Sequence, residues 1–286
     1  MASYKVSMRP EDYRFIPLTD DWMFKTVFSD PPLLRALLER ALPDVQIEDL
    51  TSVLPEHTMQ RNFNAHAIKL DIEALTVSQM FNTEMQKETK KMPLKRPRYY
   101  LSMMDVIDLR SGKPYTKLRD SYQIIITMSD PFSDNRMVYV CENADLRSGA
   151  SIKEGRRTVW INCAGTEGQE EWPQLVPFCR YVMGTMSDDA FVKAIDEKVQ
   201  YYNNDENWRI THMKWEEYKA GLIETGEKRG EKRGIAKGRK TEKISAVLTL
   251  YRRLTTLGIE KEQAIQYVHD DYPDLSDHMI RKILSV

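Results

Sequence analysis

From Leu18 to Leu42 the chain sets Phe24, Val27 and Phe28, then Leu33, Leu34, Leu37 and Leu38, at helical spacing. Two short helices are predicted. Pro31 and Pro32 separate them, because proline disfavours a helical residue before it and suits the first turn of the helix that follows. Asp20 or Asp21 is placed to cap the first helix. The period then changes. In Ile68-Lys69-Leu70-Asp71-Ile72-Glu73-Ala74 apolar and charged residues alternate strictly, the pattern of a strand with one wet face, and Asp71 points away from the apolar side. Met80-Phe81-Asn82-Thr83-Glu84-Met85-Gln86 repeats the alternation, with Asn82, Glu84 and Gln86 on one face and Phe81 and Met85 opposite. These runs form a predicted hairpin. A turn centred on Val77-Ser78 sets Asp71 directly across from Glu84, with Cβ atoms about 4.5–5.5 Å apart. Like charges so placed repel, so this register calls for something positive between them. Thr76-Val77-Ser78 lacks the Asn-Gly or Asp-Gly signature of a tight hairpin, and a longer loop would shift the register.

Beyond the hairpin, Arg96 to Met104 reads as a helix opened by Pro97, and Tyr122 to Met128 as a buried, β-branched strand. Short strands are predicted over Met137–Cys141 and Thr158–Cys163. The order is α/β in character, with a mixed sheet. Helical periodicity returns from Ser187 to about Leu222, interrupted near Asn203-Asn204. Glu224 to Lys243 then holds eight basic and four acidic residues, with glycines at 226, 230, 234 and 238. This composition break divides the chain into a domain over 1–223, a charged linker over 224–243 and a small helical segment over 244–286. The linker reads either as a solvated, partly helical connection or as a strip that contacts phosphates. Three short helices are predicted after it, and the spacing of the last two, around Tyr272 to Ser276, resembles a helix-turn-helix or a common packing unit.

Composition narrows the class. The chain has 286 residues, with 42 Lys plus Arg against 43 Asp plus Glu, so a polyanion partner must be met by a local basic patch. Hydrophobic residues at 41% and charged residues at 30% exclude collagen-like, disulfide-scaffold and wholly disordered chains. The start lacks the apolar run of a signal peptide and no stretch approaches a membrane span, so a cytoplasmic protein is expected. Cys141, Cys163 and Cys179 form no CxxC pair and are expected to be reduced and buried. His57, His66, His212, His269 and His278 show no zinc-site spacing.

The chemistry concentrates on Asp71 and, after twelve residues, Glu84-Met85-Gln86. Two carboxylates converging on one hairpin face suit Mg²⁺, a hard cation that takes carboxylate and phosphate oxygens. Mn²⁺ is the alternative ion. Met85 can add only its main-chain carbonyl, and Gln86 can hydrogen-bond a water but cannot titrate. Lys95, Arg96 and Arg98, with Lys90 and Lys91 just before, make a basic cluster beside the acids, read as phosphate-contacting or as a solvated face. Glu39 on the early helix is a candidate third acid, against a solvated helix residue. Glu73 is a candidate supporting group, against an ordinary surface strand residue.

Asp21-x-x-Phe24-Lys25-x-x-Phe28, Asp71, Glu84-Met85-Gln86, Arg96-x-x-Tyr99-Tyr100 and Gly112-x-x-Tyr115-x-x-Leu118 follow one another in order. With this series the chain resembles the PD-(D/E)xK nuclease family transposases, also described as recombination-promoting nucleases, over roughly residues 15 to 225. The resemblance implies a restriction-endonuclease-like core and Mg²⁺-dependent cleavage of DNA phosphodiesters, in a bacterial role in transposition, recombination or phage defence. It implies that Asp71 and Glu84 are the metal ligands and that Gln86 takes the place of the superfamily's lysine. Cutting both strands favours a homodimer. The alternative reading is a catalytically silent DNA-binding or assembly protein that keeps the nuclease fold.

Overall fold

Asp20 opens the first helix, its carboxylate accepting hydrogen bonds from the Trp22 and Met23 N–H groups. This helix, α1 (Asp21–Phe28), ends at Ser29, and α2 (Pro31–Ala41) begins on the two prolines. The computed structural model describes residues 14–59, 67–87 and 94–285. They divide into two units, the first ending at Ile210 and the second beginning at Thr211.

The first unit is built on a six-stranded mixed sheet of order β1-β2-β3-β4-β6-β5. Its strands are β1 (Ser52–Met59), β2 (Ile68–Leu75), β3 (Gln79–Gln86), β4 (Asp120–Thr127), β5 (Val138–Cys141) and β6 (Arg156–Asn162). The parallel pairs are β3–β4 and β4–β6; the others are antiparallel. Helix α3 (Lys95–Asp108) lies between β3 and β4 in the chain, and α4 (Val176–Val182) and α5 (Ala190–Asn204) follow the sheet. The larger apolar core joins α1, α2, α4 and α5 to one face through Met23, Phe24, Phe28, Leu34, Phe81, Ile124, Phe178 and Ile195. A smaller core joins α3 to the other face through Met80, Tyr100, Leu101 and Met104. Both faces of the sheet are therefore covered, which fits the β-branched run of β4, buried from Ser121 to Thr127.

The β2–β3 hairpin turns at Val77-Ser78. Leu75 pairs with Met80, the Thr76 N–H donates to the Gln79 carbonyl at 2.9 Å, and the Gln79 N–H donates to the Thr76 hydroxyl at 2.8 Å. Glu48 completes the turn by accepting from the Ser78 N–H and hydroxyl at 3.0 and 2.8 Å. A hydroxyl and a distant carboxylate thus do the work that Asn-Gly does elsewhere.

The strict alternation of β2 predicts a single apolar face, and the structure corrects this. Ile72 and Ala74 belong to the α1/α2 core, whereas Ile68 and Leu70 belong to the α3 core. The side chains change face at Asp71. On β1 the residue between the paired Pro55 and His57 is Glu56, with a left-handed φ of 56°. β1 itself has no counterpart in the sequence reading. As an edge strand it tolerates Pro55.

In the second unit Val247, Ile265, Val268 and Ile280 bring together α6 (Glu206–Thr256), α7 (Lys261–Asp271) and α8 (Asp277–Leu284). The break predicted at Asn203-Asn204 separates α5 from α6. Residues 224–243, read from composition as a linker, are helical throughout and lie within α6. No described helix is long and apolar enough to cross a membrane.

Candidate active site

Strands β2 and β3 pair only as far as Ile72 and Thr83. Past that point β2 continues along β1 to the Ile68–Met59 pair, and β3 continues along β4 to the Gln86–Thr127 pair. The sheet forks there. Asp71 and Glu84 are the first residues beyond the fork, one on each branch. Across the gap, the Asp71 carboxylate accepts a hydrogen bond from the Met85 N–H at 3.3 Å.

Glu84 is 2% exposed. The Asn82 side-chain amide donates to it at 2.9 Å, and the Arg96 guanidinium, at the start of α3, lies 3.7 Å away. Arg96 also stacks over the Tyr100 ring at 4.8 Å. Burial, reinforced by the Asp71 charge, pushes the Glu84 carboxyl up to about 7. Asp71 is shifted upward too. Burial is the main cause and the Asp21 charge adds to it, while Lys25 pulls the other way.

Lys25 enters from α1. Its ammonium lies 2.7 Å from Asp21, 2.9 Å from Glu56 and 3.5 Å from Asp71, and its side chain is 6% exposed. Burial opposes its charge, but Asp71, Asp21 and Glu56 outweigh burial and hold the ammonium protonated well above its ordinary range. Glu56 is shared with Lys69 at 3.0 Å, and these two lysines overcome its burial and pull its carboxyl down. The sequence reading assigned Lys25 and Glu56 no role. The signal for Lys25 was present, because it stands beside Met23, Phe24, Val27 and Phe28, all of them core residues.

The remaining sequence candidates separate clearly. Gln86 is half-buried at the end of β3. Lys95 and Arg98 are exposed on α3, whereas Arg96 turns back to Glu84. Arg98 lines a cleft of about 420 Å³ together with Phe132, Arg156, Arg157 and Trp160. Lys90 and Lys91 lie outside the described residues. Glu39 is held by Arg35 at 2.9 Å, which leaves it an ordinary partner on α2. Glu73 is not a surface residue: it is 2% exposed and its carboxylate meets His57 Nδ1 at 2.8 Å. Cys163 and Cys179 are free and buried, as expected, but Cys141 is exposed because it sits on the edge strand β5.

The donor set at the fork suits a hard divalent cation. Asp71 and Glu84 offer oxygens from adjacent branches, and both carboxyls are biased toward their protonated forms, a cost that a cation would relieve. Residues 18–161, from just before α1 to the end of β6, match the family model described as PD-(D/E)XK nuclease family transposase. No curated protein matches the chain.

Proposed function

Because the chain belongs to the PD-(D/E)XK nuclease family transposases, we propose that it is a metal-dependent DNA endonuclease acting in transposition, recombination or phage defence. The observation that carries this reading is the fork at Asp71 and Glu84, where the strands do not pair, Asp71 accepts from the Met85 N–H, and the Asp71 charge acts on the Glu84 carboxyl. Asp71, Glu84 and the Met85 main-chain carbonyl would hold Mg²⁺ or Mn²⁺, which when bound supplies charge neutralisation at the phosphate and a more acidic water. Asn82 orients Glu84 through its amide. Gln86, which cannot titrate, holds the attacking water by a hydrogen bond. Lys95 and Arg98 contact flanking phosphates, while Arg96 balances the Glu84 charge beside them. In the hydrolysis, the water oxygen bonds to phosphorus as the bond from phosphorus to the leaving sugar oxygen breaks. The attacking water gives up one proton to solvent and the leaving oxygen takes one up, so the step is proton-neutral. Cutting both strands at once favours two such sites in a two-fold homodimer.

Supercoiled plasmid incubated with the parent protein, Asp71→Ala and Glu84→Gln, in Mg²⁺ or in chelator, tests the proposal. Nicked or linear product from the parent with Mg²⁺ alone is the expected result. Equal behaviour of parent and variants overturns it, and salt-sensitive DNA binding without cleavage then identifies a silent DNA-binding protein.

A further inference from the structure

Gln86 is uncharged, so the position that takes the place of the superfamily's lysine supplies no cation to the chemistry. We propose that Lys25, on α1, is the cationic catalytic residue of this centre, its ammonium contacting the scissile phosphate beside Asp71. The inference rests on the nuclease reading above and adds a residue and an element to it.

Three observations carry it. The first is position: Lys25 reaches Asp71, the carboxylate at the fork, at 3.5 Å. The second is cost. A buried ammonium stabilises a fold less than a well-packed apolar side chain of similar volume does, and α1 is otherwise anchored by Met23, Phe24, Val27 and Phe28. A methionine or leucine at this position would serve packing alone. The third is charge. Lys25 meets Asp21, Glu56 and Asp71 together, and even with Lys69 on Glu56 the acids outnumber the lysines. The cluster around the ammonium therefore keeps a net negative charge, and the site has room for the further positive charge of a metal ion.

Glu56 fixes the lysine from β1. It holds the Lys25 ammonium at 2.9 Å from a left-handed backbone conformation that a non-glycine residue adopts at some cost. The strain falls at the position where β2 also changes face, so α1, β1 and β2 converge on one cation.

The test compares the parent with Lys25→Met and Lys25→Arg. Three quantities are read: the cleavage rate at saturating Mg²⁺, Mn²⁺ affinity by calorimetry, and the thermal melting curve. For Lys25→Met we expect a rate loss of roughly a hundredfold or more, with Mn²⁺ bound as tightly as by the parent or more tightly, since a competing positive charge is gone. Lys25→Arg keeps the charge but changes its shape and reach, and its rate is also expected to fall. If Lys25→Met does not fold, Lys25→Arg carries the test. A parent that cleaves alongside folded variants of unchanged rate overturns the role of Lys25 alone. Loss of Mn²⁺ affinity in step with rate also overturns it, because the lysine would then only maintain the metal ligands. A parent that does not cleave overturns the nuclease reading and this inference together.

Discussion

The Arg96 guanidinium lies 3.7 Å from the Glu84 carboxylate, while Arg98, two residues on, is exposed on the same helix and lines a cleft together with Phe132 and Trp160. Neighbours in one basic cluster therefore have different tasks. Arg98→Ala should weaken duplex binding about equally for all sequences and lower the salt slope by about one. Arg96→Ala should change that slope less, because its charge is already committed to Glu84. Fluorescence anisotropy of a labelled duplex across a salt series, in chelator, separates the two variants.

Glu84 also makes the metal-free protein sensitive to pH. Its carboxyl keeps a proton up to about 7 in the folded state, against 4.5 as the ordinary value. Between those values the folded state binds more protons than the unfolded chain, so stability falls as pH rises through this window. The contribution is present below the lower value and lost above the higher one, and the shift corresponds to about 3 kcal/mol. Denaturant unfolding in chelator at pH 5 and pH 8 should show parent stability declining relative to Glu84→Gln. Added Mn²⁺ should restore the parent at pH 8 and leave the variant behind.

The hairpin register was legible because alternation places Asn82, Glu84 and Gln86 opposite Phe81 and Met85, and the Leu75–Met80 and Ile72–Thr83 pairs agree with the turn at Val77-Ser78. The two early helices were legible from their capping aspartate and proline pair. Alternation could not reveal that β2 changes face at Asp71, since a residue pattern records which positions are apolar and not which of two cores receives them. β1 was hidden for a related reason. Ser52–Met59 contains a proline, a glutamate and a histidine, and it is a strand because β2 offers it a free edge. Glu56 was lost with it. The length of α6 was obscured by its recurrent glycines, which local propensity reads as breaks.

The backbone at Glu56 can be tested apart from its charge. Glu56→Ala and Glu56→Gly both remove the contacts to Lys25 and Lys69, so their difference reports only the left-handed φ of 56°. Glycine adopts that conformation freely and alanine does not. Glu56→Gly should be more stable than Glu56→Ala by roughly 1 kcal/mol, the reverse of their order at an ordinary strand position. Equilibrium denaturation of the two variants measures it.

The glycine row of α6 offers the last test. A side-chain carbon built at Gly226, Gly230, Gly234 or Gly238 meets nothing within 4 Å, and each of these residues is exposed within the helix. Alanine at such a position favours the helix by about 0.8–1 kcal/mol, so the fourfold Gly→Ala variant should hold its far-ultraviolet helical signal to a higher temperature. Plasmid cleavage should be unchanged if this stretch is only a solvated length of helix in the second unit. If the row instead lets DNA or another chain approach the backbone closely, the same variant will be more helical yet bind duplex more weakly or sediment as a smaller assembly. Melting, anisotropy and sedimentation on one sample therefore separate a solvated helix from a helix that binds.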